Sequence, residues 1–458
     1  MSPEIEAETR PPAEPLLDYV DQALFLGLRA TGQSAAMQMV WVYDDAPDWD
    51  ELRRFHQDFG FGLVGRLIEP SVLPFGRHRW VSALGPAAPL DVATTPLPRA
   101  ELSDWIDERA QLPIDPEHGP AWHMAVQPLD DGATAVTLVG SHCIGDGGAA
   151  FLSVFEAVMG ARRDLGYPLP KSRTRRQALA ADARQTLSDL PEVGRTLVAA
   201  GKFLNAKRRG ATKAAAPSPK KPVVARPDET VIVPAISAFV DLAQWDARAE
   251  ALGGNGHSLQ AGLAARLAVH QGRALAADGT VGLIVPINDR TLEDTRANAV
   301  KLAYVRVDPT HVAKDLTDTR TAVREALKVM REKPDEALAL LPLNPFVPKV
   351  AVRHTADLAF GFTDQPVSSS NIGDLPVQVA SPGGAPAQQV MLRGIDQHIT
   401  RGVLEERSGL LTVVSGRLDG KVTITVVGYQ PGVENTKQAL RDRLAAVLEE
   451  FELTAVIV

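Results

Sequence analysis

The chain has 458 residues, 45% of them hydrophobic and 23% charged, and a formal net charge of −8. That length and apolar content can bury a large core and favour two domains over one, while the acidic balance argues against a general nucleic-acid binder. The single Cys143 excludes an internal disulfide or a cysteine-built zinc site. No uncharged apolar run nears the ~18 residues of a membrane span, and a start bearing Glu4, Glu6 and Glu8 lacks a secretory pattern, so the expected location is cytoplasmic.

In chain order, the N-terminal half predicts a strand from Ala36 to Tyr43, a helix from Asp48 to Phe59 and a helix from Arg99 to Gln111. A hairpin follows, its first arm alternating Trp122, Met124 and Val126 with His123, Ala125 and Gln127. The turn at Pro128 to Gly132 leads into an apolar strand from Ala133 to Gly140. Trp122 is expected in the core. Phe151, Val154, Phe155 and Val158 then recur at helical spacing.

From Lys171 to Lys221 there are 13 Lys and Arg against three acids, a net +10 that leaves −18 on the remaining residues. This basic stretch predicts a connector (171–227) between an N-terminal lobe (1–170) and a C-terminal lobe (228–458). Leu190, Leu197 and Leu204 recur every seven residues after Pro191, which predicts an amphipathic helix starting at that proline. The run A-T-K-A-A-A-P-S-P-K-K-P reads as an exposed tether. Two readings of the connector stay open: a solvated linker helix docked on the body, or a weak peripheral membrane contact through its cations.

The C-terminal half predicts a helix from Ser258 to His270, strands from Val281 to Ile287 and Lys301 to Val307, and a hairpin around Asp419-Gly420. A last helix presents Leu440, Leu444, Val447, Leu448 and Phe451 on one face. Helices and strands mix throughout, which implies sheets covered by helices rather than a bundle.

The chemistry concentrates at S-H-C-I-G-D-G-G, residues 141 to 148. His142 sits where a strand turns into a helix, and a near-neutral imidazole can take a proton from a hydroxyl or amine and return it. Gly145, Gly147 and Gly148 let a substrate approach closely. Asp146 either orients the imidazole or pins the loop to a distant arginine, and His142 itself is either a catalytic base or a structural side chain. There is no G-x-S-x-G elbow, and His118 and His123 have no third ligand at metal spacing, so no metal is expected.

His142-Cys-Ile-Gly-Asp146-Gly147 resembles the H-x-x-x-D-G motif of the CoA-dependent acyltransferase superfamily, which includes chloramphenicol acetyltransferase, nonribosomal peptide condensation domains and bacterial wax ester synthase/diacylglycerol acyltransferases. D-Y-V-D-Q-A-L-F-L from Asp18, P-I-D-P-E-H-G-P-A-W-H from Pro113 and S-S-N-I-G-D-L-P from Ser369 resemble segments of the last group. The resemblance implies an α/β fold of two chloramphenicol acetyltransferase-like lobes, each a mixed sheet with helices, with His142 midway along a tunnel between them. It further implies His142 as general base, Asp146 and Gly147 as support, and an arginine of the second lobe paired with Asp146, for which Arg290 in V-P-I-N-D-R is suited.

Asn371 either caps or turns a strand, or supports an oxyanion or the tunnel wall, and Ser370 is expected on the substrate or oxyanion side. No bound cofactor is implied. Acyl-CoA or an acyl carrier protein thioester would be the co-substrate, and a hydroxyl or amine the acceptor. Two departures stand out. Ser141 replaces the histidine that often precedes the motif, and Gly256-His257-Ser258-Leu259-Gln260 replaces an Asn-Asp start of a second-lobe helix. A non-catalytic acyl-binding or accessory role is the contrasting reading.

Overall fold

The structure, a computed structural model, describes residues 15–211, 229–291, 293–332, 338–347 and 366–458. Two helix-covered sheets face one another. The elements of the first are α1 (Tyr19–Thr31), β1 (Ser34–Tyr43), α2 (Trp49–Phe59), the β2 and β3 ribbon (Arg66–Glu69, Arg79–Ser82), β4 (Asp91–Val92), α3 (Leu102–Ala110), β5 (Trp122–Pro128), β6 (Thr134–Ser141) and α4 (Gly147–Val158). The connector helix α5 (Arg175–Ala211) follows. The second half contributes β7 (Ala235–Asp241), α6 (Leu242–Ala251), α7 (Gly256–His270), β8 (Val281–Asn288), β9 (Val300–Val307), α8 (Thr317–Glu332), β10 (Val367–Asp374), β11 (Gln389–Gln397), α9 (Arg401–Glu406), β12 (Leu410–Leu418), β13 (Lys421–Tyr429), α10 (Lys437–Glu450) and β14 (Ala455–Ile457).

The second sheet runs β14-β7-β13-β12-β10-β8-β9 and the first β11-β1-β6-β5-β4. The lobes therefore share a strand. A division at 171–227 assigns Gln389–Gln397 to the C-terminal lobe, but β11 pairs antiparallel with β1 from Ser34↔Gln397 to Val42↔Gln389. It closes the edge that β1 would otherwise expose. Both faces of the first sheet are covered: Phe55, Phe59 and Val154 pack on one side and Trp105 and Ile106 on the other. Alternating Trp122, Met124, Val126 and His123, Ala125, Gln127 are consequently all buried. Trp122 meets the Phe59 ring edge-on at 4.9 Å, in the core as expected.

The connector helix departs from the expectation at both its start and its buried face. Thr174 and Gln177 form a reciprocal cap, with Thr174 N–H donating to Gln177 Oε1 (2.8 Å) and Gln177 N–H to Thr174 Oγ1 (3.3 Å), so the helix begins sixteen residues before Pro191, which lies inside it. Leu190 and Leu197 are 48% and 58% exposed, whereas Ala178, Asp182, Val193 and Thr196, which share one helical face, are buried. Polar docking selects that face. Asp182 accepts from Ser71 Oγ (2.6 Å) and the Val72 N–H (3.0 Å), and Glu192 accepts from the Tyr19 hydroxyl (3.3 Å). Asp189 lies 3.9 Å from Arg77. All three acids of the stretch thus turn toward the body. Apart from Ala211, the proposed tether lies outside the described residues.

Candidate active site

β6 ends at Ser141, whose buried Oγ accepts from the Cys143 N–H at 3.2 Å and so starts the turn. This is the role of the residue that departs from the motif. His142 keeps one strand-like bond, its N–H donating to Ala35 O at 2.9 Å, and its own carbonyl accepts from Asn298 Nδ2 of the second lobe at 3.2 Å. Its ring lines a cavity of 490 Å³ between the sheets, walled by α1, β1 and β11 on one side and β8, β9, β10 and β12 on the other. His142 Nδ1 is buried without a hydrogen-bond partner among the described residues. Cys143 points away into the first-lobe core, where burial pushes its thiol up to about 12; it is no nucleophile at neutral pH.

Asp146 behaves in the opposite way. Its Oδ1 caps α4 by accepting from the Ala149 N–H (2.8 Å) and also accepts from Arg290 Nη2 (3.0 Å), while Oδ2 accepts from the Ala299 N–H (2.7 Å). The Asp146 and Arg290 side chains are only 3% and 4% exposed. Arg290 Nη1 also donates to the carbonyls of Asp294 (3.1 Å) and Arg296 (2.8 Å) and Nη2 to that of Ala297 (2.9 Å), while its buried Nε has no partner among the described residues. Of the two roles open to Asp146, the arginine pairing is the one formed. A methyl group on Gly148 would come within 3.3 Å of the Asn288 amide, so glycine there permits the close approach of the lobes, whereas Gly147 opens onto the cavity.

Two supports of this junction were not singled out from the sequence. Asp21 of α1 accepts from the Ala297 N–H (2.9 Å), the Asn298 N–H (2.8 Å) and Asn298 Nδ2 (3.0 Å), and burial raises its carboxyl to about 6 against those hydrogen bonds. Arg66, fully buried with its guanidinium 4.0 Å from the Trp80 ring, donates to Ile144 O at 3.1 Å. Asp21 stands inside a segment already noticed, D-Y-V-D, but nothing local tells an acid facing a loop 276 residues away from one facing water. Asp396 of β11 also lines the cavity; burial raises its carboxyl, and Arg407 and His142 oppose that.

Ser370 lines the cavity, and its carbonyl accepts from Gln260 Nε2 at 3.0 Å. Asn371 is not part of the wall: its Oδ1 accepts from the Gly373 N–H at 2.9 Å, at a bulge in β10 where Gly373 has φ +82°. This is the turn-forming alternative for Asn371.

Solved structures with the same architecture include the wax ester synthase/diacylglycerol acyltransferase from Marinobacter aquaeolei VT8 (17% identity, 96% of this chain and 99% of that one, TM-score 0.55). The first condensation domain of the CDA synthetase aligns over 97% of this chain and 100% of its own length (14%, 0.55). The starter condensation domain of rhizomide synthetase aligns over 96% and 94% (14%, 0.50). This chain shares their fold. No family model and no curated protein sequence matches it. The two-lobed α/β architecture expected from the motif is thereby established.

Proposed function

We propose that the protein is an acyltransferase that moves an acyl group from a thioester, acyl-CoA or an acyl carrier protein, to a hydroxyl acceptor, with His142 as general base. The observation that carries this reading is the placement of the His142 ring on the wall of the cavity between the lobes, on a turn held from both sides. The ring takes the acceptor proton as the acceptor oxygen bonds to the thioester carbonyl carbon. The tetrahedral adduct then collapses, the C–S bond breaks, and the leaving thiolate receives that proton. Apolar walls at Met37, Met39, Leu302 and Leu392 suit an acyl chain and exclude water from the thioester. Ser370 is a polar residue of the wall and is assigned to the oxyanion; Asn371 is committed to its turn.

An amine acceptor would follow the same route, and a non-catalytic acyl-binding protein is the alternative that keeps the cavity without the chemistry. Incubation with a panel of acyl-CoAs and hydroxyl and amine acceptors, read by product mass, separates the three. Ester or amide formation abolished by His142→Ala supports transfer. An inactive wild type that still binds acyl-CoA supports the accessory role.

A peripheral membrane contact is a further part of the reading. Among the described residues no helix is long and apolar enough to cross a membrane. α5 nevertheless exposes Leu179, Leu187, Leu190, Leu197 and Val198 in a stretch of net +10.

A further inference from the structure

The two faces of the first sheet are told apart by their clusters. Val390 and Leu392 of β11 pack with Trp41, Met39 and Leu138, whereas Met391 and Ile395 turn the other way with Val40, Ala36 and Val139. Alternation carries the first of these faces on through Gly394 to Asp396. Across β11, β1 and β6 the register then sets out successive rows on that face: Leu392 with Met39 and Leu138, Gly394 with Met37 and Gly140, and last Asp396 with Ala35. His142 extends the last row, because Ala36 pairs with Ser141 and the His142 N–H donates to Ala35 O at 2.9 Å. Asp396 and His142 therefore flank Ala35 on one face. Two strand spacings separate their backbones by roughly 10 Å, with only a methyl group on the floor between them.

This wall of the cavity changes character along its length. Leu392 and Met39 suit an alkyl chain, and a methyl group on Gly394 would meet nothing within 4 Å, so the middle row opens onto space. Asp396 and His142 close the polar end. Asp396 is partly buried and lines the cavity, and its carboxylate makes no hydrogen bond or ion pair among the described residues. Burial raises that carboxyl, and the fields of Arg407 and His142 oppose the rise without either group bonding to it. The other acids near this wall are engaged, Asp107 with Arg393 and Asp146 with Arg290. A carboxylate kept from bulk water without donors is costly, and a ligand that brings a donor relieves the cost.

We propose that Asp396 determines acceptor specificity: it accepts a hydrogen bond from a second donor, hydroxyl or ammonium, on an acceptor whose reacting hydroxyl lies at His142. The span between the two residues, less the reach of both side chains, leaves room for a short fragment, so the acceptor class is a diol or amino alcohol with its two groups on nearby carbons. This rests on the transferase reading in placing an acceptor hydroxyl at His142. The acyl chain belongs with the apolar rows, since it offers a carboxylate nothing to bind.

The probes are hexan-1-ol, hexane-1,2-diol and 2-aminohexan-1-ol, with products told apart by mass and fragmentation. The wild type should favour one or both bifunctional acceptors over hexan-1-ol by roughly 10- to 100-fold in kcat/KM, the worth of a hydrogen bond to a charged group, and Asp396→Ala should bring the ratio near one. Asp396→Asn separates the donors: it keeps an acceptor for a hydroxyl, so a diol preference falls by only a few fold, whereas an ammonium loses its counter-charge and that preference collapses. Transfer by the wild type with no preference, or a preference unchanged in Asp396→Ala, overturns the assignment while the transferase reading stands. An unchanged preference with a lowered melting temperature would make Asp396 a counter-charge of Arg407 instead. If the wild type acylates none of the three, the transferase reading fails, and saturation-transfer NMR of the diol and the amino alcohol decides the subsite by itself. Binding lost in Asp396→Ala keeps it; no binding, or equal binding to both proteins, overturns it.

Discussion

In the turn between β6 and α4, His142 lines the cavity while its Nδ1 is buried and has no partner among the described residues, and four residues later the Asp146 carboxylate takes donors from Ala149, Arg290 and Ala299. The same short segment therefore serves two regions with opposite polar accounting. At the latch, a buried charge pair persists because its carboxylate is held by three donors from both lobes; at the cavity wall, the His142 ring makes no hydrogen bond among the described residues. The well-bonded site holds shape, and the ring left without bonds is where a substrate can act.

The largest expected effect tests the cavity side. His142→Ala should slow transfer by ~10²–10⁴, the range of general base catalysis, while the melting temperature changes little because the ring borders a cavity rather than a packed core. Equal losses of rate and stability would erase the contrast with the latch.

The latch should respond the other way. Asp146→Ala strands Arg290 in the interior, and removing one partner of such a pair costs ~3–5 kcal/mol, read from denaturant midpoints, with activity lost alongside. Asp146→Asn keeps a neutral acceptor for the Ala149 N–H and should fall between the two. A loss below ~1 kcal/mol for the alanine variant would mean that the lobes are held elsewhere.

Asp21 sharpens the comparison through pH. Its carboxyl is raised from 3.8 to about 6, first by burial, so between those values the folded chain holds a proton that the unfolded chain has released. The Asp21 contribution to stability therefore falls as pH rises from about 4 to about 6 and levels above that. Asp21→Asn should flatten this slope in urea midpoints taken across the window, whatever it does to absolute stability. An identical slope in wild type and variant would place the titration elsewhere.

The smallest effects belong to the exposed face of α5. Leu190→Ser should change stability by less than ~0.5 kcal/mol, as surface substitutions do. If the connector meets lipid, replacing Lys202, Lys207, Arg208 and Arg209, whose side chains lie outside those described, by Gln should weaken salt-sensitive binding to anionic vesicles without altering transfer to a soluble acceptor. No vesicle binding at low salt leaves α5 a docked linker.

Local pattern carried much of what the chain determined by itself. The strand-to-helix turn, the Asp419-Gly420 hairpin and the last helix all follow from spacing and turn chemistry within a few residues, where the physics is short-ranged; that Asp146 caps α4 was shown only by the structure. The match of Arg290 to Asp146 came through the resemblance of the motif, and the structure places the two 3.0 Å apart. Only the tertiary structure decided which face of α5 is buried, because Leu190 and Leu197 obey helical spacing yet face solvent and the acids choose the docking side. The same holds for β11, whose register with β1 spans more than 340 residues of sequence, and for Asp21, whose partners lie in the other lobe. Strand pairing and buried ion pairing depend on what lies across the contact, and periodicity along one segment does not record its neighbour.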